Sequence, residues 1–244
     1  MGRRYRRDMS TQWYGIVVDS ADPIALGRFW SALLDKPITG ESAEEVDVAL
    51  DDGLWLVFVL VSDPKVVKNR VHLDLASTSA EDQAAIVARA VELGAKPVDI
   101  GQGDVPWVVL ADPEGNEFCV LEPRDEYAHT GPVAAVVVDA HDPRAQAAFW
   151  AGVVGLPVTR EHDEYASLSQ EAGPSLEFVR VAEPKVVKNR LHLDVVPPAD
   201  GDLPTEVVRL EAWGAVRADV GQIDVPWVVL TDREGNEFCV LSPR

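Results

Sequence analysis

The chain has 244 residues, 47% of them hydrophobic and 26% charged, a composition that excludes disordered and collagen-like proteins. Its 22 Lys and Arg against 41 Asp and Glu give a formal net charge of −19, which disfavours nucleic acid and anionic membrane surfaces as partners. We expect a neutral or cationic small organic molecule as the partner instead.

The chain starts with a basic segment that is not followed by the apolar core of a signal peptide. No apolar run approaches the ~18 residues that a membrane helix needs. We therefore predict a mobile N-terminal arm over residues 1–12 and a cytoplasmic protein. Met1 and Met9 are both candidates for the native start.

The first predicted elements lie between residues 14 and 61. Residues 14–19 predict a short strand, and Asp22-Pro23 opens a helix, because a proline in the first turn removes no helical hydrogen bond. Extended runs follow at 46–50 and 54–61. Helix and sheet are therefore both expected in this half.

The next segment repeats that order. Residues 71–76 predict a strand, and a helix follows with Ser79 as its cap and Gly94 as its stop. Two further strands, 105–111 and 116–122, pair across a turn. About two helices are expected per 120 residues, with the sheet taking the rest.

The whole pattern occurs twice at an offset of 120 residues. The segment PKVVKNR stands at 64–70 and at 184–190, and EGNEFCVL stands at 114–121 and at 234–241. Two copies of one domain explain this repeat. We predict domain 1 over residues 13–124, a polar linker over 125–132, and domain 2 over 133–244.

The doubled β-α-β-β-β pattern, the DPEGNEF turn and the KNR-x-HLD strand resemble the vicinal oxygen chelate superfamily, in its glyoxalase-like branch. This superfamily includes glyoxalase I, extradiol dioxygenases and bleomycin-resistance proteins. The resemblance implies an α+β fold with two tandem glyoxalase-like domains. Each would use two βαβββ modules to form a curved, mostly antiparallel sheet around a cleft, and the two domains would pack on each other. A homodimer is left open.

The resemblance also implies where a divalent metal would bind in catalytic members. Ligands would come from the first, fourth, fifth and eighth strands, at positions that carry Gly15 and Ala135, Val59 and Val179, His72 and His192, and Cys119 and Cys239. Only the histidines match, so we predict no metal ligands and no cofactor. Because both copies lack the same positions, pairing modules across copies would not restore the set. A softer site of His72, Asp74 and Cys119 stays open as a disfavoured alternative.

The strand after KNR carries the candidate catalytic residues. Side chains two apart point the same way, so His72, Asp74 and Arg70 share one face, opposite an apolar face. The second copy repeats them as His192, Asp194 and Arg190. The histidines could act as general bases oriented by the aspartates, with the arginines binding ligand. Alternatively, arginine and aspartate pair with each other and histidine only lines the cleft wall.

The remaining candidates are ligand contacts rather than catalysts. They are Trp107 and Trp227, which could stack on a planar ligand, Cys119 and Cys239, and Glu117 and Glu237. Structural burial is the favoured interpretation for the cysteines. The copies differ at several positions, Glu177 against Val57 among them, so the two clefts need not be equivalent.

The preferred function is recognition of a small organic molecule, for drug or metabolite sequestration, without a metal. The alternative is a metal-independent lyase, isomerase or cyclase that uses His72 and His192 as acid/base groups. A metal-dependent glyoxalase or dioxygenase is the less favoured third hypothesis. A further alternative gives binding to one domain and a scaffolding role to the other.

Overall fold

The computed structural model describes residues 11–50 and 53–243. Most of the predicted N-terminal arm, residues 1–10 with both candidate start methionines, lies outside this range. Thr11 is buried, and the first strand begins at Gln12, one residue inside the predicted arm. The described chain has four α-helices and sixteen strands, and none of these helices is both long and apolar enough to cross a membrane.

Each copy consists of two βαβββ modules, as predicted. Module 1 contains β1 Gln12–Ser20, α1 Pro23–Leu34, β2 Ile38–Glu41, β3 Glu45–Ala49 and β4 Trp55–Leu60. Module 2 contains β5 Val71–Leu75, α2 Ala80–Glu92, β6 Lys96–Pro97, β7 Val108–Ala111 and β8 Glu117–Val120. Module 3 contains β9 Val133–Ala140, α3 Pro143–Val154, β10 Val158–Glu161, β11 Tyr165–Leu168 and β12 Ser175–Arg180. Module 4 contains β13 Leu191–Val196, α4 Leu203–Trp213, β14 Val216–Arg217, β15 Val228–Thr231 and β16 Glu237–Val240.

The helices begin and end where their caps predict. The Asp22 side chain accepts a hydrogen bond from the Ala25 backbone N–H at the start of α1. Ser79 does the same for Asp82 at the start of α2. Gly94, just after α2, has a φ of +114°, a conformation that glycine adopts without a Cβ penalty. Local capping chemistry therefore sets these boundaries.

The sheets combine modules from different copies. The first sheet has the strand order β14-β15-β16-β13-β1-β4-β3-β2, so it joins module 1 to module 4. The second has the order β10-β11-β12-β9-β5-β8-β7-β6 and joins module 3 to module 2. Both are mixed, with antiparallel pairs in the majority. Each sheet therefore contains strands from both sequence repeats, and no sheet is formed by one repeat alone.

One antiparallel ladder holds the two halves of each sheet together. In the second sheet β5 pairs with β9, and in the first sheet β13 pairs with β1 in the same way. The apolar face of β5, with Val71, Leu73 and Leu75, is fully buried against the core. The opposite face carries the partly buried His72 and Asp74. The period-two alternation predicted from sequence is thus present.

The PKVVKNR segments connect one sheet to the other. Residues 61–70 run from β4 of the first sheet to β5 of the second, and residues 181–190 make the reverse connection. The Arg70 guanidinium donates to the backbone carbonyls of Glu183 and Asp139, both at 2.8 Å. These bonds tie the two copies together at the crossovers.

Cleaving the linker tests the exchanged pairing. Ala128 and His129 are exposed, so a protease site inserted between them can be cut in the folded protein. We expect the two halves to co-elute near the native 26.6 kDa in size-exclusion chromatography, because each sheet contains strands of both. The uncut protein is the control. Separation of the halves in native buffer would contradict the exchanged sheets.

Candidate functional site

Three side chains with titratable groups meet on the polar face of the second sheet. His72 and Asp74 lie two residues apart on β5, and Cys119 on β8 is the paired neighbour of Asp74. The His72 Nε2 and Asp74 Oδ1 atoms are 3.4 Å apart. One ligand-type atom from each of the three residues lies within 4.8 Å of the others. We call these residues the His72 cluster.

The first sheet repeats the arrangement as the His192 cluster, which consists of His192, Asp194 and Cys239. His192 Nε2 lies 3.5 Å from Asp194 Oδ1 and 3.4 Å from Cys239 Sγ. In both clusters, Nε2 is the ring nitrogen that faces the carboxylate. The structure therefore brings together the predicted histidine, aspartate and cysteine of each copy.

Burial controls the protonation of the two thiols and of His192. It raises the pKa of both thiols, Cys119 and Cys239, and the adjacent aspartates raise it further. Burial, with Lys188 nearby, lowers the pKa of His192 to about 3. The cysteines are therefore protonated at neutral pH, which makes them poor nucleophiles, and His192 is a neutral imidazole.

A cavity of about 1240 Å³ lies over the His72 cluster. Its lining includes His72, Asp74, Cys119, Trp107, Tyr127 and Glu177. The first four belong to copy 1, Tyr127 belongs to the linker, and Glu177 belongs to copy 2. This cavity, which we call the His72 cavity, is therefore built from both copies. His192 is not among the residues that line it.

A polar network that the sequence analysis did not assign closes one side of the His72 cavity. The Tyr127 hydroxyl donates to Glu177 Oε1 at 2.9 Å, and Arg160 donates to the same oxygen at 2.9 Å. Arg160 also pairs with Glu126 at 2.7 Å. Glu177 is 8% exposed, so its carboxylate is held by two donors inside the protein.

Among the residues that the structure describes, the other cleft does not repeat this network. At the offset of 120 residues, Val57 replaces Glu177, Gly40 replaces Arg160, and Trp55 replaces Ser175. The difference between Glu177 and Val57 was the available sequence signal, but it did not place Glu177 in the same cavity as His72. That juxtaposition arises only because module 3 pairs with module 2. Tyr127 carried no signal, because it lay in the predicted linker.

The predicted arginines and glutamates mainly hold the crossovers. Arg70 and Arg190 line the cavity, but Arg190 donates to the Asp63 carbonyl at 2.8 Å, as Arg70 does to its own backbone partners. Glu117 pairs with Lys65 at 2.8 Å and accepts from the Asn69 backbone. Glu237 makes the equivalent contacts with Lys185 and Asn189. These side chains fix the loops around the cavity.

The two predicted tryptophans fall in different places. Trp107 lines the His72 cavity, where the Arg124 guanidinium lies 5.8 Å from the centre of its ring. Trp227 lines a separate cavity of about 210 Å³ whose lining does not include His192. Only Trp107 is therefore placed with its predicted cluster.

Catalytic members of the vicinal oxygen chelate superfamily, which the sequence resembles, would hold a divalent metal in this cleft. The first-strand positions carry Gly15 and Ala135, which have no ligand atom, so the four-ligand set of nitrogen and oxygen atoms does not fit. Ala135 is the paired neighbour of Asp74, which puts a carboxylate beside the position that lacks a ligand. Imidazole, carboxylate and thiol together fit a softer, zinc-like ion with three protein ligands.

The sequence matches one protein family twice. Residues 15–121 and 135–241 each match the family described as glyoxalase-like domain. Among curated proteins, none matches the chain.

Solved structures show the same fold at low identity. Glyoxalase I from Zea mays has a TM-score of 0.64 and 12% identity, over 96% of this chain and 93% of its own. A variant of that enzyme has a TM-score of 0.67 and 13% identity, with 98% and 94% covered. A putative dioxygenase from Bacillus subtilis has a TM-score of 0.63 and 11% identity, with 97% and 87% covered. At such identities the similarity concerns the fold alone.

Because the carboxyl of Glu177 is buried, we expect the stability difference between the unmodified protein and Glu177→Gln to depend on pH. Burial raises its pKa above the ordinary value of 4.5, and Arg160 and Tyr127 only partly offset the effect. Between those two pKa values the native state binds more protons than the unfolded state, so stability falls as pH rises. Glu177→Gln removes this titration. We expect the unfolding free energy of the variant, relative to that of the unmodified protein, to increase between pH 4.5 and pH 7. The increase should be about 1.4 kcal/mol for each unit by which the pKa of Glu177 differs between the folded and unfolded states.

Urea unfolding of both proteins at the two pH values measures this gain. The control is Glu164→Gln, which changes a carboxylate that is 68% exposed. A difference between Glu177→Gln and native protein that stays constant with pH would contradict the prediction.

Proposed function

We propose that this chain, which belongs to the glyoxalase-like domain family, binds a small organic molecule in the His72 cavity. The observation that carries the proposal is the convergence of the His72 cluster, Trp107 and the Glu177 network on one cavity of about 1240 Å³. Concave sites with an aromatic wall and a few convergent polar groups are the usual form of small-molecule sites. The physiological role would be sequestration of a drug or metabolite.

The side chains divide into an apolar wall and a polar floor. Trp107 offers a flat ring that is already covered by the Arg124 guanidinium on part of its surface. Asp74 Oδ1 is buried and lies 3.4 Å from His72 Nε2, so Asp74 helps to orient the imidazole that lines the cavity. A neutral or cationic ligand with hydrogen-bond donors suits this floor, in agreement with the acidic chain.

Tyr127 and Arg160 position the carboxylate of Glu177 at the opposite side. Their two hydrogen bonds restrict Glu177 to one orientation, so a ligand that contacts it does not have to order it. The network also makes the cavity depend on the linker, because Tyr127 belongs to that segment. We infer that these three residues contribute to ligand selection.

An acid/base enzyme is the second candidate function. The His72 Nε2 atom faces Asp74 Oδ1 at 3.4 Å, an arrangement that can hold an imidazole as a general base in a cavity large enough for a substrate. The raised pKa of the Cys119 thiol argues against a cysteine nucleophile. A lyase, isomerase or cyclase remains compatible with this geometry.

The matched histidines distinguish the two clefts. A thermal-shift screen of small organic amines, alcohols and aromatic compounds first supplies a ligand, whose affinity is then measured by calorimetry. We expect His72→Ala to weaken binding about tenfold or more, because it removes a group that lines the cavity. His192→Ala is the matched control, and we expect its affinity to stay within about twofold of the native value. Equal losses in both variants would contradict a site confined to the His72 cavity.

The same pair of variants separates a binder from an enzyme. If the screened compound is converted, turnover by His72→Ala should fall about 10²- to 10⁴-fold, which is the usual contribution of a general base. A binding protein would show no conversion in any variant and would lose only affinity. Either result identifies which of the two functions the cavity serves.

A further inference from the structure

We propose that the ligand of the His72 cavity is an amphipathic amine, with a cationic head beside Asp74 and an apolar tail at the mouth. Two pairs of exposed valines lie at that mouth, Val66 and Val67 in the first crossover and Val186 and Val187 in the second, and all four line the cavity. We call these four residues the valine lips. Because it names the class of molecule that the cavity would bind, this assignment rests on the proposed function.

The crossovers expose valines and turn lysines inward. Val66 is 71% exposed and Val186 is 73% exposed. The side chains of Lys65 and Lys185, one residue earlier, are only 15% and 14% exposed, because each forms an ion pair with a glutamate. Lysine is among the residues least often buried, whereas burial of valine would stabilise the fold. The same inversion in both copies indicates a surface for binding rather than scattered exposure.

Hydrogen bonds between the crossovers hold the valine lips in place. Arg70, at the end of the first crossover, donates to the Glu183 carbonyl near the start of the second, at 2.8 Å. Arg190, at the end of the second crossover, donates to the Asp63 carbonyl near the start of the first, also at 2.8 Å. Each crossover is therefore fixed on both sides of its valine pair, so a ligand does not have to order the lips on binding.

An apolar tail accounts for the size of the cavity and for the position of the lips. The volume of about 1240 Å³ exceeds the roughly 300–1,000 Å³ of most ligand pockets. A ligand confined to the His72 cluster would leave the lips in water. A tail that extends from the cluster to the mouth would bury them, and apolar burial contributes to affinity in proportion to the area buried.

Charge assigns the head of the ligand to Asp74. Every described basic side chain that lines the cavity already has a carboxylate partner in an ion pair, as Lys68 has with Asp139 at 2.8 Å. The only ion-pair partner of Asp74 among the described residues is the imidazole of His72, at 3.4 Å. An ammonium head would give Asp74 a permanent cation, whereas an anionic head would have to compete for basic groups that are already paired.

A tail fits the valine lips better than a second protein surface does. Along the crossovers the apolar strip ends at exposed polar residues, Asp63 and Lys68 in the first and Glu183 in the second. Four valines are also far fewer than the roughly 20–30 residues on each side of a stable protein interface. The strip instead continues inward, because the lips line the same cavity as Trp107.

A chain-length series tests the tail. Butylamine, hexylamine, octylamine and decylamine are titrated into the full-length protein by calorimetry, each below its critical micelle concentration. We expect the affinity to rise about fourfold for each methylene group that contacts the lips, which is the usual effect of burying that group. Equal affinity across the series would overturn the proposal. The proposed function would still stand in that case if other compounds from the thermal-shift screen bind and His72→Ala weakens their binding.

Decanoate tests the head, because it combines a tail similar to that of decylamine with an anionic group. We expect decanoate to bind at least about tenfold more weakly than decylamine. Equal or tighter binding of decanoate would overturn the assignment of a cationic head to Asp74.

Serine variants locate the tail. The double variant Val66→Ser, Val186→Ser should weaken decylamine binding about tenfold or more and leave the affinity for butylamine within about twofold of the native value. Val208→Ser on α4 is the matched control, because Val208 is exposed but is not among the residues that line the cavity. It should change neither affinity. Unchanged binding of decylamine by the double variant would overturn the proposal.

Size-exclusion chromatography of the unliganded protein tests the other occupant. A dimer that the double variant converts to a monomer would mean that a second copy covers the lips, and it would overturn the proposal. Thermal unfolding checks that the double variant folds. If it does not fold, the chain-length series of the native protein decides alone.

Discussion

The antiparallel ladder between β5 and β9, with its counterpart between β13 and β1, is the interaction on which the rest of the structure depends. Each ladder is the only β-pairing, among the described strands, that joins the two modules of a sheet. It sets which residues of copy 2 stand beside which residues of copy 1. Because His72 is the paired neighbour of Val137, and Val137 is the paired neighbour of Glu177, one row of the sheet runs from the His72 cluster to the Glu177 network.

Much of the fold followed from the sequence because local signals were strong. The offset of 120 residues defined the copies, capping residues such as Ser79 defined helix starts, and period-two alternation placed His72 and Asp74 on one face. The exchange of modules could not be predicted in this way. The strands on either side of each central ladder are similar Val- and Leu-rich segments in both copies, so neither apolar pattern nor propensity distinguishes the possible partners.

The candidate site was predicted less completely for the same reason. Residues on one strand, or on strands of the same module, came together as expected, and the His72 cluster is of this kind. Glu177 and Arg160 belong to the other copy and Tyr127 to the linker, and they line the same cavity as His72 because module 3 pairs with module 2. The alternation correctly placed Arg70 at the cleft, where it lines the cavity. It could not show that the Arg70 guanidinium is hydrogen-bonded to backbone carbonyls of the other copy.

The exchanged sheets also limit how this protein can change over evolution. A tandem protein whose copies fold separately can lose one copy and keep a working cleft in the other. Here each cleft takes half of its walls from each copy, so deletion of either copy leaves two half-sheets with exposed central strands. A shortened descendant would have to recruit a second chain to replace the missing half. Two repeats thus form one inseparable unit of inheritance, even though, among the described residues, the polar network around Glu177 is present on one side only.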